Sequence, residues 1–303
     1  MRDPIPLPST LLGVSFTVKS GLEEGASVGR LRRADLDQPF WGVRSPAGAG
    51  ATVAGLAEAL LARRPDAVLS HTSAAQLWAM QLPLRFAAMR PLHISVTPPT
   101  RAPTGADVVG HQTALVDDDI TVHRGVPVTT LERTWCDLAP LLTDEDLVAV
   151  GDDVLGQGQE HFPTIDSLRA AIERYPGNSR RLRLARVAEF LTDRSESDPE
   201  SRFRWRFARA GLPHAAPNLE IFSPDGELIA RCDLAFEEYR VAFDYEGDHH
   251  RTSRRQWRKD LRRVPRIQDL GWHHIRGSAL DLGDSRDLIA RLRRVLRERG
   301  WRG

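Results

Sequence analysis

Apolar residues along this chain recur with two periods, and each period predicts a different kind of element. Leu-His-Ile-Ser-Val-Thr (92–97) alternates and predicts a strand that ends at Pro98-Pro99. Ile120–His123 and Val126–Thr129 flank Arg124-Gly125 and predict a hairpin. Ala54, Leu56, Ala57, Leu60 and Leu61 share one helical face, and Ala74, Ala75, Leu77 and Trp78 share the next. Leu131, Trp135, Leu138, Leu142, Leu147, Val150 and Val154 predict helix over 130–155. Asp144, Glu145 and Asp146 suit a helix start, where the backbone dipole favours negative charge. Residues 156–180 read as loop, because Gly156, Gly158, Pro163 and Pro176-Gly177-Asn178 interrupt them, and a helix over 180–192 follows.

The first fifty residues predict a small helical unit with a strand. Phe16-Thr17-Val18 opens a short helix, Ser27 can cap a second through Arg30–Arg33, and Phe40–Arg44 reads as a strand. That order suits a winged helix, with Arg30, Arg32 and Arg33 placed for a phosphate backbone. It equally suits a structural cap whose arginines are a solvated face. His71, at the start of the helix after it, reads as structural.

The pattern becomes specific after residue 193. Ser197-Asp198-Pro199-Glu200 is a capping box for a helix over 197–210 with Phe203, Phe207 and Ala210 as its apolar stripe. A meander follows: strands at 219–222, 228–236 and 241–246, with turns at Ser223–Gly226 and Glu237–Arg240. On the third strand Asp244 and Glu246 share a face, about 7 Å apart by the strand repeat, and Asp233 on its neighbour comes within reach. Three converging carboxylates repel unless a cation joins them. Oxygen ligands favour Mg²⁺ or Mn²⁺. Gly247 ends the strand, and a basic helix is expected over 252–264. Arg251, Arg254, Arg255, Arg258, Lys259 and Arg262 there are candidate phosphate contacts, and flanking cations are what a carboxylate site needs to hold nucleic acid. A strand at 273–276 and a terminal amphipathic helix over 284–299 complete the pattern.

Composition narrows the class. The chain has 303 residues with 27% charged and 41% hydrophobic, ordinary globular values that favour two domains over one and argue against disorder. No apolar run reaches the ~18 residues that span a bilayer, and the proline-punctuated N-terminus lacks a signal-peptide core, so a cytoplasmic protein without membrane partners is expected. Two cysteines exclude a disulfide scaffold and a four-cysteine zinc site. The net charge of +1 conceals an asymmetry. Residues 194–303 carry 23 Lys+Arg against 18 Asp+Glu, whereas residues 1–193 carry 19 against 23. Nearly all the cations are arginine, the better phosphate fork. The divisions read from these shifts are 1–50, 51–193 and 194–303.

The run Arg-Val-Ala-Phe-Asp-Tyr-Glu-Gly-Asp-His-His-Arg-Thr (240–252), then Trp257, Asp260, Arg263, Gly271-Trp272 and Ile275-Arg276, resembles the short-patch-repair-like (Vsr-like) endonuclease domains of the PD-(D/E)XK superfamily. The resemblance covers about residues 196–283. It implies an α+β domain, a restriction-endonuclease-like mixed sheet flanked by helices, and Mg²⁺-dependent phosphodiester cleavage, with DNA the expected partner. It assigns Asp233, Asp244, Glu246 and Glu200 to metal binding. It assigns catalytic roles to Asp233, Asp244, Glu246, His250, Arg263 and Arg276. Glu246 stands where the superfamily usually has lysine. Glu200 fits both the metal and the capping role. Residues 14–155, with His-Thr-Ser-Ala-Ala-Gln-Leu-Trp (71–78) and Val-Thr-Thr-Leu-Glu-Arg-Thr-Trp-Cys-Asp-Leu-Ala (128–139), resemble AbiEi-type antitoxins more faintly. That implies a winged helix, DNA binding and a toxin or other defence partner. The alternative to a nuclease is therefore a DNA-binding regulator or antitoxin with an inactive nuclease-like domain.

Overall fold

The computed structural model describes residues 5–46, 52–88, 90–105, 107–156, 163–247 and 264–303. The chain divides into two units that exchange segments. One comprises Met1–Leu141 and Asp166–Ala185, the other Leu142–Ile165 and Arg186–Gly303. Residue 193, where the composition shifts, falls inside the second unit.

The first unit opens with a three-stranded sheet of order β1-β3-β2, built from β1 (Phe16–Thr17), β2 (Leu36–Asp37) and β3 (Val43–Pro46). Helix α1 (Val18–Glu23) starts where the Thr17 hydroxyl accepts the Ser20 amide. The expected second helix is one 3-10 turn at Arg30–Arg32, with the Ser27 hydroxyl accepting the Arg30 amide. Arg33 is already extended and β2 begins at Leu36, so the helical stretch there is a single turn. Leu7, Leu11, Phe16, Ala26, Leu31 and Leu36 form the small core beneath.

A larger mixed sheet follows, of order β6-β7-β5-β4-β9-β8. Its elements are α2 (Val53–Leu61), β4 (Ala67–Leu69), α3 (His71–Leu77), β5 (Leu92–Val96), β6 (Thr104–Gly105), β7 (Val108–Gln112), β8 (Ile120–His123), β9 (Val126–Thr129) and α4 (Leu131–Asp137). The alternation in β5 decides its faces. Leu92, Ile94 and Val96 pack with Leu56, Leu60 and Leu61 of α2, so His93 and Ser95 point to the other side. Arg124 (φ 51°) and Gly125 (φ 78°) make the tight β8–β9 turn, a left-handed pair that matches strand twist.

The expected helix over 130–155 is broken into α4 and α5 (Asp144–Gly156), because the Thr143 hydroxyl caps a new helix by accepting the Asp146 amide. The expected loop over 156–180 contains α6 (Ile165–Arg174), which buries Leu168, Ala171 and Ile172 at helical spacing. Helix α7 is Asn178–Ala188.

The second unit is a four-stranded sheet of order β10-β11-β12-β13. After α8 (Asp198–Arg209) come β10 (Ala216–Phe222), β11 (Leu228–Phe236) and β12 (Val241–Glu246), antiparallel in turn. A helical segment α9 (264–269) leads to β13 (His273–Ser278), which runs parallel to β12. The chain closes with α10 (Ala279–Gly283) and α11 (Arg286–Glu298). Phe203 and Phe207 of α8 and Leu288, Leu292, Val295 and Leu296 of α11 pack on Leu234, Phe243 and Ile275. Ile267 of α9 packs on Cys232 and Ala242. Gly277 is required, since the Phe243 ring lies 2.6 Å from where a Cβ would stand. This is an α+β architecture with helices flanking a mixed sheet, in general terms a restriction-endonuclease-like topology.

Charged side chains inside both units are matched. In the second unit α5 and α8 meet through ion pairs: Arg202 with Asp146 at 2.9 Å, Arg206 with Glu145 at 2.8 Å, and Arg204 with Asp152. In the first, Arg133 of α4 is buried and meets Asp119 at 2.7 Å and Asp137 at 3.0 Å. Its guanidinium also bonds the Ala114 carbonyl and the Thr113 hydroxyl. Burial raises the Asp137 carboxyl to about 6. We expect Arg133→Met to lower stability by about 3–5 kcal/mol at neutral pH, since Asp137 loses its counter-charge and Asp119 keeps only Arg174, at 3.7 Å. The deficit should shrink below pH 6, where a carboxyl with a raised folded-state pKa takes up its proton. Urea unfolding at pH 7 and pH 5.5 checks both the size and the sign.

Candidate functional site

The β11–β12 ladder pairs Phe236 with Val241, Ala235 with Ala242 and Leu234 with Phe243. One step further, side chains replace backbone partners. The Asp233 amide donates to Asp244 Oδ1 at 3.1 Å, and the Tyr245 amide donates to Asp233 Oδ2 at 2.7 Å. The structure thus brings Asp233 and Asp244 together across two strands. Asp244 is buried, and its Oδ2 accepts the Nε2–H of His274 at 2.6 Å. His274 lies opposite Ala242 in the parallel pairing with β13, so it shares a face with Asp244. Sequence reasoning gave His274 no role. Its signal was the register, which appears only once β13 is known to run parallel to β12.

The other predicted residues fall differently. Glu246 is partly exposed and ion-paired with Arg276 at 2.6 Å. Glu200 serves the cap: Oε1 accepts the Ser197 hydroxyl at 2.7 Å and Oε2 accepts the Glu196 amide at 3.0 Å. Asn218 also donates to Oε2 at 2.9 Å, tying the start of α8 to β10. His250, Arg251, Arg254, Arg255, Arg258, Lys259, Arg262 and Arg263 lie outside the described residues. In the first unit Arg30 is buried and held by both Asp35 oxygens, at 3.1 and 2.8 Å, whereas Arg32 and Arg33 are exposed. A groove of about 850 Å³ beside them is lined by Lys19, Arg32, Arg44, Arg63 and Trp41. Trp41 is 86% exposed, with the Arg63 guanidinium 4.3 Å over its ring.

A second cluster was not foreseen. His71 opens α3, His93 is on β5 and His111 is on β7. One ring nitrogen of each lies within 4.8 Å of the others, so the three can chelate a metal ion. The His71 and His111 rings stack at 3.6 Å, and His93 Nδ1 meets His111 Nε2 at 3.0 Å. His71 takes φ 51°, a left-handed backbone that costs a β-carbon residue about 1–2 kcal/mol. Ser95 donates its hydroxyl to Ser70 at 2.7 Å, and Ser70 meets His71 Nδ1 at 3.0 Å. The signal in the sequence was His93 at the polar phase of an alternating strand. Finding its partners required knowing that β5 lies between β4 and β7.

Burial sets the charge of these rings. It drives His71 down to about 2, helped by the neighbouring histidines and by Arg133 and Arg180. It lowers His111 to about 4, with His93 adding to the effect, and lowers His93 as well. All three are neutral at pH 7, the form that offers a lone pair.

No protein-family model matches the chain, and none of the curated proteins compared with it matches. Among the described residues no helix is long and apolar enough to cross a membrane.

A histidine with a depressed folded-state pKa contributes stability above its unfolded value, about 6.5, and loses it as pH falls. We expect the metal-free protein to lose thermal stability from pH 6.5 toward pH 4. In His111→Gln that dependence should be shallower between pH 7 and pH 5, since the titration of Asp137 in that range is common to both proteins. Parallel slopes for the two proteins would contradict this account.

Proposed function

We propose that the second unit is a metal-dependent endonuclease that hydrolyses phosphodiester bonds, most simply in DNA. The observation that carries this reading is the Asp233–Asp244 pair, opposed on adjacent strands of a mixed sheet. Two carboxylates in apposition, one of them buried, form an oxygen donor set that fits a hard divalent cation such as Mg²⁺ or Mn²⁺. Asp233 and Asp244 would hold it. Bound there, the cation would polarise a phosphate oxygen and lower the pKa of a coordinated water.

The protein's own groups supply the rest. His274 donates to Asp244 and fixes the carboxylate's orientation, as outer-shell partners of metal ligands do. Arg276 leaves Glu246 to meet a phosphate oxygen and stabilises the charge that develops on it. His250, three residues past Gly247, receives the proton of the attacking water. Glu200 keeps the start of α8 and β10 in place. The basic character of residues 194–303 and the Trp41–Arg63 groove of the first unit support a nucleic-acid substrate.

One observation favours a second reading, a DNA-binding regulator with an inactive site: Glu246 stands where lysine is usual and is already paired with Arg276. A plasmid-nicking assay in Mg²⁺ and Mn²⁺ separates the two. We expect wild type to nick and Asp233→Ala and Asp244→Ala to lose at least ~100-fold in rate. His274→Ala should fall less, with activity partly restored by raising the metal concentration. Equal rates in wild type and Asp244→Ala would sink the nuclease reading. Metal-independent duplex binding without cleavage would favour the regulator.

A further inference from the structure

We propose that His71, His93 and His111 form a second metal site, in the first unit, for a borderline first-row divalent cation of the Zn²⁺ class, with a fourth position open to solvent. This goes beyond the nuclease reading and does not rest on it.

The donor set excludes the metal expected at the carboxylates. Imidazole nitrogens suit Zn²⁺, Co²⁺, Ni²⁺ or Fe²⁺, whereas Mg²⁺ prefers oxygen and water. The nitrogens are close enough to share one ion once the stacked His71 and His111 rings turn out of parallel, so that both in-plane lone pairs meet it. Zn–N bonds of about 2.0–2.1 Å with tetrahedral angles put ligand nitrogens about 3.3 Å apart. His93 Nδ1 and His111 Nε2 are already at 3.0 Å, and all three donors fall within 4.8 Å.

The surroundings keep the three histidines together. Ser70 and Ser95 form a relay onto His71 Nδ1. The Ser70 hydroxyl at Nδ1 leaves Nε2 of His71 as the nitrogen for a metal, and such partners fix the tautomer of metal-binding histidines. The Ser73 hydroxyl accepts the His93 amide, and the Ser70 amide donates to the His93 carbonyl, so β5 is tied to the start of α3. The left-handed backbone at His71 is the feature that turns the first residue of the helix toward the strands. Burial keeps the rings unprotonated. Arg133 adds positive potential at His71, but Asp119 and Asp137 match its charge. His71 is buried while His93 and His111 are partly exposed, so water reaches one side. Three protein ligands with a water-accessible remainder is the pattern of catalytic rather than structural zinc.

The test uses the full chain, stripped with a chelator and titrated with Co²⁺. We expect one equivalent per chain with the visible absorption of a nitrogen-ligated ion, displaced by Zn²⁺ and untouched by excess Mg²⁺. His93→Gln and His111→Gln should weaken binding by more than the roughly 10–100-fold that loss of an outer-shell partner costs, and Ser70→Ala by about that amount. Asp233→Asn and Asp244→Asn should keep the absorption of the nitrogen-ligated ion, whatever Co²⁺ they lose at the carboxylates. A measurement without variants guards against misfolding: proton NMR of the wild-type Co²⁺ form should show three paramagnetically shifted imidazoles. A spectrum that stays that of the hydrated ion, no shifted imidazole signals, or binding lost in Asp244→Asn but kept in folded His93→Gln, would each overturn the proposal.

Discussion

Asp244 is a carboxylate buried in a sheet, and the second unit is arranged around the need to meet its charge. An unmatched buried carboxylate costs several kcal/mol, so its oxygens must be answered by donors. One answer is local: the Asp233 amide, released from the ladder one step beyond the Leu234–Phe243 pair. The other is the imidazole of His274, and it depends on topology. A slip of one residue between β12 and β13 would send that imidazole to the opposite face. The register is held by Phe243 and Ile275 in the core and by Gly277, which alone leaves room for the Phe243 ring. The same contacts that stabilise the sheet therefore place the histidine. Packing and site geometry are one constraint here.

The first unit meets the same requirement with neutral groups. Its six-stranded sheet buries Leu92, Ile94 and Val96 on one side, which obliges His93 and Ser95 to face the other. There the polar atoms satisfy one another. Serine hydroxyls bond in a chain to His71, and imidazoles bond and stack among themselves. Because no carboxylate joins them among the described residues, the rings stay uncharged and retain lone pairs. Two units of one chain thus present opposite donor chemistry, oxygen anions in one and neutral nitrogens in the other. A single divalent ion does not suit both equally.

What could be read from the sequence follows from the range of the interactions involved. Helix α8 was legible because its cap is local: Ser197 and Glu200 are three residues apart and bond each other. The β8–β9 hairpin was legible because Arg124-Gly125 fixes its turn. The meander β10–β12 was legible from turns and alternation, and with it the shared reach of Asp233 and Asp244. Helix α6 was not, since Pro163 and Pro176-Gly177 lie outside its ends, and in sequence residues that bound a helix look the same as residues that break one. The split between α4 and α5 was hidden because both halves carry apolar residues in one continuing phase, and only the Thr143 cap divides them. His274 and the three-histidine cluster were illegible for a different reason. Each depends on which strands become neighbours, at separations of tens of residues, and local pattern carries none of that.

Charge read from composition proves a weaker guide than charge read from position. The excess of arginine after residue 193 suggested a surface for phosphate. Yet Arg202, Arg204 and Arg206, on the helix that precedes the sheet, are committed to Asp146, Asp152 and Glu145. In the first unit Arg30 is committed to Asp35, and Arg133 to Asp119 and Asp137. Such cations hold helices together and contribute little to an external field, because their partners cancel them at short range. Arg276 differs. It lies opposite Asp244 in the β12–β13 register, half exposed, and the acid it pairs with among the described residues, Glu246, is equally exposed. An exposed pair gains little from staying together, roughly 0–1 kcal/mol. A phosphate could therefore compete for Arg276 at small cost, where it could not for Arg204. Among the described residues of the second unit, Arg276 therefore supports the nucleic-acid reading more directly than the net charge of the segment that carries it.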